Sequence, residues 1–293
     1  MSGQAFTLTR TTLADRLELA KPRITAMVVF TSLVGFVAAA DEPVRGAILA
    51  AALAGTGLVA SGAAVLNQVI ERDTDALMLR TRERPLAAGR VPLAEAVLFG
   101  AAVTGGGLGL LLLGCGPLPA LVALATWSSY LFLYTPLKRR TPLATLVGAV
   151  PGALPPVIGW TAAADRLEPG AFILFAILFL WQVPHFLAIA WLYREDYARG
   201  GFPMLPVVDR EGRFTARQAV VHSLALLVVS LAPVAAGMAG PLYLCGAFLL
   251  GVALTAFAVR LLSARDLVAA RGLFLASVLY LPALSSLLLA SKR

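Results

Sequence analysis

The chain has 293 residues, 59% of them hydrophobic and only 14% charged, with a mean hydropathy of +0.84. A water-soluble domain cannot hide that much apolar surface, so the composition excludes a globular cytosolic protein and predicts an all-α polytopic membrane protein. A net charge of +8 could mark a nucleic-acid binder, but the placement of the charges, taken up below, excludes that as well.

The first 20 residues contain no apolar run and carry Asp15 and Glu18, so residues 1–23 read as a short cytosolic tail rather than a signal or transit peptide. Apolar segments then follow at about 24–40, 46–70, 92–114, 117–135, 142–163, 171–192, 217–238, 241–262 and 272–290, nine spans in one transmembrane domain covering 24–293. With the N-terminus in the cytoplasm, 20 of the 24 Lys and Arg fall on the cytoplasmic side; only Arg45, Arg166, Lys292 and Arg293 do not. This positive-inside pattern independently supports an odd number of spans with the C-terminus outside, and makes the basicity topological. The short outer loops (41–45, 115–117, 164–169, 238–241) carry little chemistry. Cys115 and Cys245 show no CxxC or ligand spacing, so neither a disulfide nor a zinc site is expected. Glycines and prolines within spans (Gly105–Gly107, Pro151-Gly152, Pro155-Pro156) suit close helix packing and kinks around a central cavity open toward the cytoplasmic rim.

Three connections on the cytoplasmic side carry the chemistry. At the foot of the second span stands Asn67-Gln-Val-Ile-Glu71-Arg-Asp73-Thr-Asp75. At about 100° per residue, Asn67, Glu71 and Asp75 share one narrow helical stripe and Asp73 falls on the other side. One amide and two carboxylates aimed at one point suit a magnesium ion, and Arg80, Arg82 and Arg84 just beyond suit an anion. A metal–diphosphate site is the reading that uses both; a solvated helix end is the bland alternative. The second connection, Tyr134-Thr-Pro-Leu-Lys138-Arg139-Arg140, is a topology signal by itself and a diphosphate clamp beside the acid stripe, with Lys138 placed to neutralise a leaving group. The third is Trp181-Gln182-Val-Pro184-His185-Phe186, running on to Glu195-Asp196-Tyr197 and Pro203-Met-Leu-Pro206. If the helix continues unbroken, His185 and Asp196 share a stripe about 16 Å apart, with Asp196 at the rim and His185 about three turns deeper. A histidine within a span is a functional candidate, although a hydrogen bond to a neighbouring helix would also explain it. His222 has no such context and reads as structural.

The pattern Asn67-x-x-x-Glu71-x-x-x-Asp75 followed by Arg80-Thr81-x-x-Arg84-Pro85 resembles the first signature of the UbiA-type intramembrane prenyltransferases. Members of that family have nine transmembrane helices, the number counted here from hydropathy. Asp73-Thr-Asp75-x-x-Met78, Tyr134-Thr135-x-Leu137-Lys138-Arg139, Gly152-Ala-x-Pro155-Pro156, Trp181-Gln182-x-Pro184-His185-Phe186 and Pro203–Pro206 are similar to the haem-farnesylating branch. The likeness runs from Leu19-Ala-Lys21-Pro22-Arg23 nearly to the end. Two positions depart from the family pattern: Glu71 stands where Asp is usual, and the second DxxxD is absent, leaving Glu195-Asp196.

The resemblance implies transfer of a farnesyl group from farnesyl diphosphate to the 2-vinyl group of protohaem IX, with water added, to give haem O. Haem is then a substrate and Mg2+ the cofactor. It implies Asn67, Glu71, Asp75 and Asp196 as metal ligands, and Lys138 beside them in catalysis. Arg80, Arg84, Arg139, Tyr134, His185, Gln182, Lys21 and Arg23 become substrate-binding residues. His185 either ligates the haem iron or guides water. The lack of a transit-peptide pattern points to a bacterial inner membrane, and the likeness leaves open contact with a haem A synthase or oxidase assembly machinery, which the sequence itself does not mark. The rival activities are prenylation of an aromatic acceptor, such as a quinone precursor, and secondary transport of an organic anion. Transport sites sit near the bilayer midplane, whereas almost every charge here lies at one rim.

Overall fold

A computed structural model describes residues 11–40 and 45–292; the first ten tail residues, most of the first outer loop (41–44) and Arg293 lie outside the described residues. Among the described residues nine helices are long and apolar enough to cross a membrane. In chain order they are Pro22–Ala39, Gly46–Asp75, Leu93–Cys115, Pro117–Leu137, Ala144–Ala164, Pro169–Leu192, Arg213–Ala235, Pro241–Ala264 and Leu267–Ala290, named spans 1 to 9. The protein is a multi-pass membrane protein. Leucines and valines such as Leu98, Leu113, Val228 and Leu279 project outward, the arrangement expected where lipid replaces water as the solvent.

Consecutive spans pack on one another, span 1 lies mainly on span 5 and also touches spans 2 and 9, and span 9 packs on span 6 as well. Two glycines set the closest crossing. A Cβ on Gly159 of span 5 would overlap the Ser32 carbonyl of span 1, and one on Gly35 would overlap the Pro156 carbonyl. This crossing fixes span 1, and with it Lys21 immediately before its first turn.

Three irregularities shape the charged rim. Span 5 consists of two helices, Ala144–Ala153 and Pro155–Ala164, because Pro155 and Pro156 cannot continue the hydrogen-bond ladder of the first. Span 4 changes to π-helical geometry over Ser129–Tyr134, just before Lys138; such turns concentrate at functional sites because they rotate the following side chains. Span 6 stops at Leu192, where Tyr193 leaves helical geometry (φ −113°, ψ 24°), and a short helix Arg194–Arg199 follows. His185 and Asp196 are therefore not on one continuous helix, and the stripe expected from the sequence ends at the break.

The N-terminal helix Leu13–Leu19 begins in a capping box between Thr12 and Asp15 and lies along the same rim. Arg90, in the connection between spans 2 and 3, pairs with Asp15 at 2.9 Å and Glu18 at 2.7 Å, and Arg16 pairs with Glu95 at 2.8 Å. The Arg90 guanidinium, with help from Thr12, holds the Asp15 carboxyl at about 2. Gln68 of span 2 donates to the Leu19 carbonyl at 2.8 Å. The tail is thus fastened to the elements that carry the acid stripe.

Candidate active site

The stripe predicted from helical spacing forms. Asn67, Glu71 and Asp75 are all buried at the foot of span 2, whereas the Asp73 side chain is 86% exposed on the opposite side. Asn67 donates its amide to the Thr135 hydroxyl at 3.1 Å, and its carbonyl oxygen has no hydrogen bond among the described residues. Lys138 reaches across from the end of span 4, its Nζ 3.1 and 3.3 Å from the two Glu71 oxygens. Arg84 meets Asp75 Oδ2 at 2.7 Å, and Asp75 Oδ1 is buried without a hydrogen-bond partner among the described residues. A buried carboxylate oxygen left unsatisfied is costly unless something fills it. Asn67 Oδ1, the Glu71 carboxylate and Asp75 Oδ1 are hard oxygen donors on one face, and they fit a magnesium ion that completes its shell with water and phosphate oxygens.

The cations line the opposite side of this stripe. Lys138 Nζ lies 4.5 Å from the centre of the Phe202 ring and 5.9 Å from that of Tyr134, which stacks on Tyr130. Burial works against the Lys138 ammonium, but Tyr134 and Glu71 outweigh it and hold its pKa above the ordinary lysine value. Arg80 is held between the rings of Tyr193, 5.3 Å away, and Tyr197, 5.8 Å away. Arg139 binds the Thr74 hydroxyl and, at 3.5 Å, the Ile70 carbonyl, on the span that carries the acids.

Lys21 occupies an unusual place. Its backbone is left-handed (φ 49°, ψ 61°), a conformation in which a non-glycine residue is strained, and it directly precedes Pro22. Burial depresses its pKa to about 7, aided by repulsion from Arg84 and Lys138 and opposed by Glu71 and Asp75. The joint between the tail helix and span 1 therefore delivers an ammonium within electrostatic reach of both ion pairs. Arg23, two residues on, is exposed and makes no ion pair among the described residues.

Asp196 lies on the short helix after span 6 and is bonded on both oxygens. One of its oxygens accepts the Leu79 N–H at 3.0 Å and the Arg199 guanidinium at 2.5 Å; the other accepts the Arg80 N–H at 3.0 Å. Burial favours the neutral acid, but Arg199 and these two amides outweigh it and hold the carboxyl below the usual range. Among the described residues no three His, Cys, Asp or Glu side chains gather at metal-binding distance. Glu71 and Asp75 share the buried stripe of span 2, while the Asp196 oxygens fasten the Arg80 connection to the helix after span 6.

Deeper in span 6, Gln182 donates to the Ala149 carbonyl at 3.1 Å and to the Leu178 carbonyl at 3.1 Å, tying span 6 to span 5 beside Gly152. The His185 ring stacks between Trp181 (centroids 4.8 Å apart) and Phe274 (5.3 Å), with Nδ1 2.8 Å from Ser277 Oγ. His222 Nδ1 bonds the Gln218 carbonyl of its own helix, in keeping with a structural residue. Thr135, Phe202, Tyr193 and Ser277 escaped the sequence reading. Thr135 lies inside a block already singled out, whereas Ser277 is 92 positions from His185 and nothing local marks it.

Comparison with known proteins agrees with this geometry. The profile of the UbiA prenyltransferase family matches residues 28–281. A protein of Solibacter usitatus named protoheme IX farnesyltransferase is 49% identical over 284 residues, covering 94% of this chain and 97% of that protein. One of the same name from Koribacter versatilis is 45% identical, covering 94% and 93%. Among solved structures, a digeranylgeranylglyceryl phosphate synthase superposes with a TM-score of 0.80 at 16% identity, covering 95% of this chain and 98% of that one. A UbiA homolog from Archaeoglobus fulgidus bound to GPP and Mg2+ superposes with a TM-score of 0.66 at 14% identity, covering 94% and 99%. At those identities the structures speak for the fold, and the sequence matches speak for descent. A nine-span bundle with a buried acid stripe at its rim, matched over most of its length, places this chain in the UbiA prenyltransferase family.

Proposed function

We propose that the protein transfers the farnesyl group of farnesyl diphosphate to the 2-vinyl group of protohaem IX, with addition of water, releasing haem O and diphosphate. The observation that carries the chemistry is the two buried carboxylates paired with half-buried cations, Glu71–Lys138 and Asp75–Arg84, with Asp75 Oδ1 unpartnered beside them among the described residues. The curated relatives named for this reaction supply the choice of donor and acceptor.

In this reading Asn67, Glu71 and Asp75 hold Mg2+. When bound, the ion supplies charge neutralisation and orientation of the diphosphate. Lys138, Arg84, Arg80 and Lys21 offer N–H donors to the diphosphate oxygens as negative charge builds on them. Arg139 and Tyr134 border the same space. The allylic C–O bond breaks heterolytically and its electron pair leaves with the diphosphate. The vinyl terminal carbon bonds to the allylic carbon, and water adds to the cation left beside the porphyrin ring and loses a proton. Apolar span surfaces keep other water from the first cation. Asp196, a fourth metal ligand by the family resemblance, is assigned here to positioning the Arg80 connection through its bonds to the Leu79 and Arg80 amides.

We place the charged rim on the cytoplasmic side, on the strength of the Lys and Arg distribution, and take the membrane to be a bacterial inner membrane. Contact with a haem A synthase or with terminal-oxidase assembly machinery would receive the apolar product directly.

The test uses the purified protein in detergent with protohaem, farnesyl diphosphate and Mg2+, with and without chelator, followed by mass spectrometry of the haem. A gain of one farnesyl group plus one water, lost with chelator, is the expected result. Unmodified haem and intact donor, together with farnesyl transfer once an aromatic acceptor replaces the haem, would overturn the choice of acceptor.

A further inference from the structure

The contacts of Ser277 settle which nitrogen of His185 carries its proton. The Ser277 hydroxyl lies 2.6 Å from the Phe274 carbonyl, which can only accept, so the single hydroxyl proton is committed there. His185 Nδ1, 2.8 Å from the same oxygen, must then be the donor. A neutral imidazole carries one N–H, so His185 is the Nδ1–H tautomer and Nε2 presents a bare lone pair. Nε2 has no hydrogen-bond partner among the described residues, and the ring is only half-buried.

The surroundings hold the ring in place as well. Trp181 and Phe274 cover its two faces, and Trp181 Nε1 donates to the Ser277 backbone carbonyl at 2.8 Å. Ser277 is thus the hub of the group: its carbonyl fixes Trp181, its hydroxyl fixes His185, and span 9 fixes span 6. An imidazole held by N–H donation from one nitrogen, with the other nitrogen open, is the arrangement found in histidines that ligate metals. Iron is well served by such a ligand.

We infer that Ser277 is a positioning residue that locks His185 as the Nδ1–H tautomer and aims Nε2 as an axial ligand at the iron of the porphyrin substrate. The iron half of this inference rests on the proposed function; the tautomer half does not.

The experiment uses the full-length chain carrying His222→Gln and no histidine tag, so that His185 is its sole histidine. Imidazole 15N spectra of the haem-free protein at pH 8 are expected to show the Nδ1–H tautomer, and Ser277→Ala to shift the signals toward the Nε2–H form while Ser277→Thr restores them. An Nε2–H signal in the parent, or no change in Ser277→Ala, overturns the role of Ser277. Titration with ferric protohaem then tests the iron. His185→Ala is expected to move the Soret band, and Ser277→Ala to weaken haem binding about 10-fold, the scale of losing the hydrogen bond behind a metal ligand. A Soret band unmoved in His185→Ala overturns iron ligation while leaving the proposed function intact. A parent protein that binds no protohaem overturns both the ligation and that reading, and the spectra of the haem-free protein still decide the tautomer.

Discussion

Lys138 Nζ faces both oxygens of Glu71, at 3.1 and 3.3 Å, although the two residues are 67 positions apart and sit on different spans. Each therefore holds the place that a ligand would take at the other: the carboxylate stands where a diphosphate oxygen would meet Lys138, and the ammonium where a metal would meet Glu71. The substitutions below separate these roles.

Glu71→Gln and Asp75→Asn keep the shape of the stripe but remove a metal-binding charge, and each is expected to lower kcat by about 100-fold or more, the scale of losing one main electrostatic contact in a transition state. Both variants should insert and purify normally. Turnover close to the parent in both would falsify the assignment of the metal to this stripe.

Lys138→Ala removes a donor to the leaving group while leaving the span 6–span 9 pair of His185 and Ser277 untouched. Single-turnover kinetics should show slower farnesyl transfer with protohaem affinity unchanged. Weaker haem binding at an unchanged transfer rate contradicts this role.

Asp196→Asn distinguishes a clasp from a ligand. An amide in place of the carboxylate turns one acceptor into a donor facing the backbone N–H groups of Leu79 or Arg80. Faster hydrogen exchange over 79–84 and about a 10-fold loss of activity are expected, in line with disturbing an outer partner of a site. The Mg2+ concentration giving half-maximal rate should stay where it is; a large rise in it would return Asp196 to the metal.

Lys21 gives the pH dependence. Its folded pKa of about 7 lies below the ordinary lysine value, so above pH 7 the empty site holds mainly neutral Lys21. A bound anion favours the charged form, so inorganic diphosphate binding at pH 8 should draw a proton from solution, and calorimetry in buffers of different ionisation enthalpy measures that uptake. The uptake should disappear in Lys21→Met. For stability the sign is the reverse of a paired lysine's: the unfolded chain binds more protons between about pH 7 and the ordinary lysine value, so this residue's contribution rises with pH across that window.

How much of this was legible in the sequence follows from how local each signal is. Nine runs of apolar residues and the 67/71/75 stripe depend only on hydropathy and helical period, and the structure reproduces both. The break after Leu192 was not legible, because no glycine or proline marks it and the only nearby proline, Pro184, lies inside the helix. The partners of Asp196 and His185 were invisible for a different reason. Leu79 and Ser277 are far from them in the chain, and a backbone N–H or a lone serine has no pattern to read.

The neutral resting state of the rim has a thermodynamic corollary. With Glu71 matched to Lys138 and Asp75 to Arg84, a metal arriving alone strands two half-buried cations, and a diphosphate arriving alone strands two buried carboxylates. Only joint arrival leaves every charge compensated. Donor and metal should accordingly bind with strong positive cooperativity, each raising the other's affinity by one and the same factor. The two ion pairs would then act as a coincidence detector, releasing their partners only when both ligands are present.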